Sequence, residues 1–251
     1  MPAAPPFEPN ISEHDGVRYL HFGTPWVQGA MRLDKPNVLE VEYVRRMMAW
    51  LLWRERGHMA EGHAVQLGLG AASLTRFCRQ VLKMRTTAVE LNPLVTMAAR
   101  MWFRLPANDA RLTVCEADAC AWVADPANLQ SADVLNVDLY DHDAAAPVLD
   151  DAAFYANCHR VLAHGGLMTV NLFGRHASFE ESAAHIAAAF GRDQVWTMRP
   201  TREGNTVVVA ARGVQVPSRE ELTARADAIE KRWQLPARKW LRMVRPYAAR
   251  A

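Results

Sequence analysis

Residues 63–92 read HAVQLGLGAASLTRFCRQVLKMRTTAVELN, and this stretch decides the fold. A short apolar run at residues 65–67 leads into Gly68-Leu69-Gly70, and residues 71–83 then carry apolar side chains at helical spacing. The pattern next becomes that of a strand, and this second apolar run ends at Glu90. The stretch therefore predicts a strand, a glycine turn, a helix and a second strand that ends in an acid.

The glycine turn is suited to a nucleoside-like ligand. Gly68 and Gly70 let the chain turn sharply and let a ligand approach the main chain, and the helix that follows presents unpaired N–H groups. Glu90 is placed to accept hydrogen bonds from both hydroxyls of a ribose. Dinucleotide enzymes and enzymes that use S-adenosylmethionine share this arrangement, although Ser73 stands where the full dinucleotide fingerprint has a third glycine.

The length and composition predict a chain with one main hydrophobic core. Half of the 251 residues are hydrophobic, which is enough for one domain with or without a small appendage. No apolar run is long enough to cross a bilayer, and the first residues lack the pattern of a signal peptide. The four cysteines form no C-x-x-C pair, which favours reduced thiols over a disulfide framework or a zinc site. We therefore expect a cytoplasmic protein that binds no metal.

Helical and strand patterns alternate along most of the chain. We predict helices at residues 93–103, 119–123, 151–162 and 178–190, and strands at 111–115, 133–137, 167–173, 195–198 and 206–211. This alternation predicts an α/β fold with a mostly parallel, doubly wound sheet whose last two strands form an antiparallel hairpin.

Four polar or glycine positions fall at the predicted carboxyl ends of strands, where such sheets bind ligands. They are Gly68, Glu90, Asp118 and Asp138. Their common position predicts one shared site. An N-cap on the helix that begins at residue 119 explains Asp118 equally well.

We divide the chain into four segments. Residues 1–10 contain four prolines and are expected to be a disordered lead-in. Residues 11–57 form a small β-hairpin or meander followed by a helix with Asn37 as its N-cap, residues 58–216 form a Rossmann-like nucleoside-binding domain, and residues 217–251 form a basic helical tail.

The tail carries seven basic residues and no acidic one between Lys231 and Arg250. Its pattern predicts a helix at residues 219–233, a break at Leu235-Pro236 and a second helix. We expect its apolar face to pack on the domain or on a second subunit of a homodimer. Contact with nucleic acid or acidic lipid is the alternative, but no other part of the sequence resembles a nucleic-acid module or a membrane anchor.

Several motifs together resemble the spermidine synthase family of aminopropyltransferases, which have a class I methyltransferase-like fold. The resemblance runs from about residue 16 to residue 211. It rests on the glycine loop and on GVRYL (16–20), VQGAMR (27–32), AVELNP (88–93), RLTVCEADA (111–119), DVLNVDLYD (133–141) and FYANCHRVLAHGGLMTVN (154–171).

This resemblance implies a set of roles. Gly68, Gly70 and Glu90 would bind the adenosyl co-substrate, decarboxylated S-adenosylmethionine, with Glu90 on the ribose. Asp118 would contact the adenine amino group, and Gln28 would reach the sulfonium end. Two further acids would be catalytic: Asp138 would orient and deprotonate the attacking amine of a polyamine such as putrescine, and Asp141 would help to hold that cation.

The sequence also departs from the family pattern. The loop is typically GGGDGG in the family and is GLGAAS at residues 68–73 here, so Ala71 replaces the aspartate that faces the aminopropyl amine. The usual PTYPxG becomes PTREG at residues 200–204, with Arg202 in place of the tyrosine. Without the loop acid, ordinary S-adenosylmethionine becomes admissible. Methyl transfer to a small substrate and catalytically silent nucleoside binding therefore remain as alternatives.

Overall fold

The computed structural model of the protein describes residues 8–139, 149–173 and 176–248. Residues 1–7 of the predicted lead-in lie outside this range, and the first strand already begins at Asn10.

A small antiparallel sheet forms the N-terminal region. Its strands are β1 (Asn10–His14), β2 (Val17–His21) and β3 (Gly29–Arg32), joined in that order. Asp15 and Gly16 turn the chain between β1 and β2 with φ of 50° and 73°, which a short polar residue and a glycine adopt at low cost. The predicted meander is confirmed.

Within the described residues, the main sheet has eight strands in the order β11-β9-β10-β8-β7-β4-β5-β6. They are β4 (His63–Leu67), β5 (Arg85–Glu90), β6 (Leu112–Glu116), β7 (Ala132–Val137), β8 (Leu162–Phe173), β9 (Val195–Thr197), β10 (Asn205–Ala211) and β11 (Arg245–Pro246). Strands β4 to β8 are parallel, whereas β10 is antiparallel to both β8 and β9. The predicted sheet is confirmed, and β10 lies between β8 and β9.

Helices cover both faces of this sheet. They are α1 (Glu42–Arg46), α2 (Ser73–Arg76), α3 (Pro93–Trp102), α4 (Ala119–Ala124), α5 (Ala152–Val161), α6 (His176–Phe190), α7 (Arg219–Trp233) and α8 (Ala237–Met243). One core cluster joins the sheet to α2, α7, α8 and the segment that follows α1, and a second joins the opposite face to α4, α5 and α6. In the described part of the chain, no helix is long and apolar enough to cross a membrane.

The helix predicted before Gly57 is wrong in two respects. It begins at Glu42 rather than next to Asn37, and residues Met47–Trp53 continue it as a tighter 3-10 helix. The Arg76 guanidinium donates to the carbonyl of Pro36 at 3.0 Å. This bond fixes the chain in a turn where a helix start was expected, so Asn37 caps nothing.

The helix predicted for residues 71–83 is shorter than expected. Ala72 has a left-handed backbone with φ of 54°, so α2 begins only at Ser73. The chain then widens into a π-type turn at Phe77–Val81, whose bonds run from Leu82 N–H to the Phe77 carbonyl.

The fifth predicted strand begins earlier than its glycines suggest. Strand β8 starts at Leu162, which pairs with Ala132 of β7. Gly165 and Gly166 fall between the helix predicted for residues 151–162 and the strand predicted for residues 167–173, and they exchange main-chain hydrogen bonds with Arg212 just beyond β10. Tertiary pairing thus extends the strand through a sequence that reads locally as a turn.

The basic tail is part of the main core. Helices α7 and α8 bury Ala226, Ile229, Ala237 and Trp240 completely, in the same cluster as Trp50. The Ser218 hydroxyl and the Glu221 carboxylate cap the start of α7 reciprocally. The apolar face of the tail therefore packs on its own domain.

Replacing Trp240 with alanine should lower the free energy of unfolding by about 3–5 kcal/mol, because it opens a cavity in this cluster. Arg242→Ala, on the exposed side of the same helix, should change it by less than about 0.5 kcal/mol. Urea unfolding of both variants measures the difference, and equal values would show that the tail lies outside the cooperative core.

Candidate active site

The site lies where the order of the strands reverses. Strand β4 has β5 on one side and β7 on the other, and in sheets of this kind ligands bind outside the carboxyl ends of the strands at such a reversal. Gly68 follows β4 with φ of 84°, and a Cβ on it would lie 2.2 Å from the carbonyl oxygen of Asp138, which follows β7. Only glycine fits this contact.

The carboxylate of Glu90 is built into the glycine loop. One oxygen accepts the Leu69 N–H and the other accepts the Asn92 N–H, each at 2.9 Å. Burial raises the pKa of this carboxyl, and the surrounding main-chain amides, including that of Gly70, oppose the rise. A carboxylate oxygen has more than one lone pair, so Glu90 can hold the loop and still accept hydrogen bonds from a ribose.

The N-terminal sheet closes onto the same loop. A Cβ on Gly70 would lie 3.3 Å from the carbonyl oxygen of Gln28, and one on Gly29 would lie 2.6 Å from the Cβ of Ala71. Ala71 is only 3% exposed, in an apolar cluster with Leu20, Met31 and Phe103. Gln28 is therefore brought to the loop, and the side chain at position 71 faces apolar neighbours.

Asp138 is held by two side chains from different elements. Asn171 of β8 donates to Oδ1 at 2.9 Å, and the Tyr43 hydroxyl of α1 donates to Oδ2 at 3.2 Å. Burial raises the pKa of Asp138, while these two hydrogen bonds act to lower it. A carboxylate with a raised pKa and two orienting donors is suited to accept a proton.

The sequence analysis named neither Asn171 nor Tyr43 as a partner of Asp138. A signal for Asn171 was present, because it is a polar residue near the carboxyl end of a strand whose neighbouring residues at 170 and 172 are apolar. Nothing local marks Tyr43, since its contact with Asp138 spans 95 residues.

The two remaining acids differ in what the structure describes. Asp118 caps α4, with its Oδ1 accepting the N–H groups of Cys120 and Ala121 at 2.6 and 3.1 Å. Its contact with adenine stays a prediction. Asp141 lies outside the described residues.

A buried cation ties the loop to its surroundings. Arg76 is 2% exposed, and it donates to the carbonyls of Ala71 and Phe103 at 2.6 and 2.5 Å, besides that of Pro36. Burial lowers the pKa of this guanidinium to about 10, with a smaller effect from Arg104. It is still charged at neutral pH.

The glycine loop, the strand-end acid and the reversal of strand order define a class I methyltransferase-like, nucleoside-binding fold. A probable spermidine synthase from Corynebacterium glutamicum superposes with a TM-score of 0.74 at 21% identity, over 100% of this chain and 96% of that one. Human methyltransferase-like protein 13, in complex with SAH, superposes with a TM-score of 0.69 at 23% identity, over 78% of this chain and 93% of that one.

The sequence identifies the family within this class. The chain is 32% identical over 232 residues to a polyamine aminopropyltransferase from Chromobacterium violaceum, covering 91% of this chain and 85% of the relative. No protein-family model matches the sequence. The chain belongs to the polyamine aminopropyltransferase, or spermidine synthase, family.

A Gly68→Ala variant should lose nucleoside binding, because its Cβ would push the loop away from Asp138. We expect at least tenfold weaker binding of methylthioadenosine, a loss of about 1.4 kcal/mol or more. Gly57→Ala is the matched control, since a Cβ there meets nothing within 4 Å. Calorimetric titration measures both, and unchanged affinity in Gly68→Ala would place the nucleoside elsewhere.

Proposed function

We propose that this protein transfers the aminopropyl group of decarboxylated S-adenosylmethionine to a polyamine such as putrescine. The observation that supports this most directly is the carboxylate of Asp138, oriented by Tyr43 and Asn171 at the edge of the glycine loop. The relatives named aminopropyltransferases support the same reaction.

The co-substrate fits the residues of the loop. Gly68 and Gly70 leave space along the main chain, Glu90 offers acceptors to the ribose hydroxyls, and Gln28 lies beside the loop. When bound, the adenosyl sulfonium supplies an electrophilic carbon. We propose that Asp118 adds a contact to the adenine and that Asp141 helps to hold the amine.

Asp138 performs the proton step. An alkylammonium has a pKa of about 10.4, so only about one molecule in a few thousand is neutral at pH 7. The carboxylate of Asp138 binds the ammonium and accepts one proton, which frees the nitrogen lone pair. That nitrogen attacks the carbon next to sulfur, the C–S bond breaks, and methylthioadenosine leaves with the bonding electrons.

Methyl transfer from ordinary S-adenosylmethionine is a second candidate, and Ala71 is the observation that favours it. The side chain at this position is buried among apolar residues, so it provides no acid to repel the carboxylate of the ordinary co-substrate. Repulsion between two such negative charges about 4 Å apart would be worth about 1–4 kcal/mol.

Product analysis separates the two reactions. The protein is incubated with decarboxylated or ordinary S-adenosylmethionine and with putrescine or spermidine. The masses of the products are then measured by mass spectrometry. An amine heavier by one aminopropyl unit supports the proposal, whereas a methylated amine with the ordinary co-substrate supports the second candidate. Binding without any product would leave a silent nucleoside-binding protein.

Asp138→Asn should lower turnover by about 10²–10⁴-fold, because the amide cannot accept the proton. The affinity for methylthioadenosine should stay within about twofold, because the amide side chain is nearly isosteric and the loop contact to residue 138 is made by its main chain. Steady-state kinetics and calorimetry measure the two effects. Full turnover in the variant would remove Asp138 from the mechanism.

Tyr43→Phe should move the acid limb of the pH–rate profile to higher pH. The lost hydroxyl no longer lowers the pKa of Asp138, so a larger fraction of the base is protonated at low pH. The difference in rate between Tyr43→Phe and the wild-type protein should therefore shrink as the pH rises. Tyr155→Phe removes a similar bond, 2.7 Å long, to Asp150 on the other face of the sheet and should leave the acid limb unmoved. A uniform loss in Tyr43→Phe at all pH values would contradict the assignment.

A further inference from the structure

A chain of hydrogen bonds leads away from the candidate base into a turn near the end of the main sheet. Beyond the bond from Asn171 to Asp138, the amide of Asn205 on β10 donates to Oδ1 of Asn171 at 3.1 Å. The Asn205 N–H donates to Oγ1 of Thr201 at 3.1 Å, and the Thr201 hydroxyl lies 3.5 Å from Oδ1 of Asn205. The Thr201 N–H in turn donates to the Asn205 carbonyl at 2.7 Å, which closes the turn.

Burial makes the direction of these bonds matter. Asn171, Asn205 and Thr201 are 3%, 9% and 6% exposed, so water replaces a lost partner poorly and an unpaired amide there is costly. An ionised carboxylate only accepts hydrogen bonds. Asn171 must therefore present its NH₂ group to Asp138 and its oxygen to the next residue in the chain.

Asn205 supplies the donor that this orientation needs. Its NH₂ group faces the oxygen of Asn171, which leaves its own oxygen towards the hydroxyl of Thr201. Every side-chain donor in this series of hydrogen bonds thus points towards Asp138. If the side-chain amide of Asn171 rotated by 180°, its oxygen would face the carboxylate oxygen of Asp138 and its NH₂ group would face the NH₂ group of Asn205.

The other elements packed against Asp138 bring no competing charge. Helix α1 contributes the hydroxyl of Tyr43, and strand β4 contributes the main chain at Gly68. Among the described residues, no charged side chain acts on the Asp138 carboxyl.

We propose that Asn205 is a positioning residue, which fixes the orientation of Asn171 and so couples the turn at residues 201–204 to the base of the reaction. This inference rests on the proposed role of Asp138. The turn at residues 201–204 stands where the family has its PTYPxG sequence. Through Asn205 it takes part in catalysis without contact to the reacting atoms.

Four variants test this coupling in the full-length protein. Asn205→Asp keeps the shape but cannot donate to Asn171, and Asn205→Ala removes the amide without adding a charge. Thr201→Val removes the hydroxyl at nearly constant volume, and Thr201→Ser retains it. Each is measured by the pH dependence of kcat/KM and by ¹³C NMR titration of the Asp138 carboxyl, which is identified as the signal missing in Asp138→Asn.

We expect Asn205→Asp to raise the pKa of Asp138 by about one unit or more, because Asn171 turns to donate to the new carboxylate. Asn205→Ala and Thr201→Val should give smaller shifts in the same direction, and Thr201→Ser should keep the wild-type titration. If Asn205→Asp fails to fold, the Asn205→Ala shift and the Thr201 pair still decide the question.

Two results would overturn the inference. One is an NMR titration of Asp138 that is the same in all folded variants, and the other is a fall in kcat/KM that is equal at every pH. The NMR measurement needs no turnover. A wild-type protein that forms no product but shows the expected shifts would therefore refute the proposed function alone, and product formation with unmoved titrations would refute this coupling alone.

Discussion

The structure depends on one close main-chain contact, between Gly68 at the end of β4 and the carbonyl of Asp138 at the end of β7. These strands are neighbours at the point where the strand order reverses, so the contact sets how near the nucleoside loop lies to the candidate base. Two further contacts build on it. Glu90 holds the loop from the β5 side through the Leu69 amide, and the carbonyl of Gln28 rests on it from the N-terminal sheet. Binding and proton transfer are thus arranged by the same few main-chain atoms.

The glycine loop is also held by the buried guanidinium of Arg76, which pairs with no carboxylate among the described residues. Arg76 is buried, and within the described residues its partners are carbonyl oxygens of Pro36, Ala71 and Phe103. These carbonyls come from the linker before α1, from the loop and from the end of α3, so one planar guanidinium fixes three segments at once. A lysine could not reproduce this fork of donors. The same bonds explain why a helix that the local sequence favours near Asn37 does not form there.

The sequence predicted the strands and the turn of the site because these follow from local patterns. Buried parallel strands read as apolar runs, and the acids after them mark the ligand edge of the sheet. Several of the errors share one cause, since each of these was decided by a partner distant in the chain. Gly165 reads as a turn but pairs with Arg212, and Tyr43 and Asn171 meet Asp138 only through the fold. The environment of Ala71 was equally hidden, because its apolar neighbours come from the N-terminal sheet and the residue after α3.

The packing of α8 against Trp50 has a consequence for how the chain folds as it is synthesised. One core cluster unites residues 39–59 with residues 226–240, so its earliest and latest members are separated by most of the sequence. Until α7 and α8 leave the ribosome, Trp50, Leu51 and their neighbours lack part of their apolar surroundings. Contacts of such long range close slowly, and exposed apolar surface invites association in the meantime. We therefore expect the nascent chain to depend on chaperones for longer than a domain of its size whose core is built from neighbouring segments.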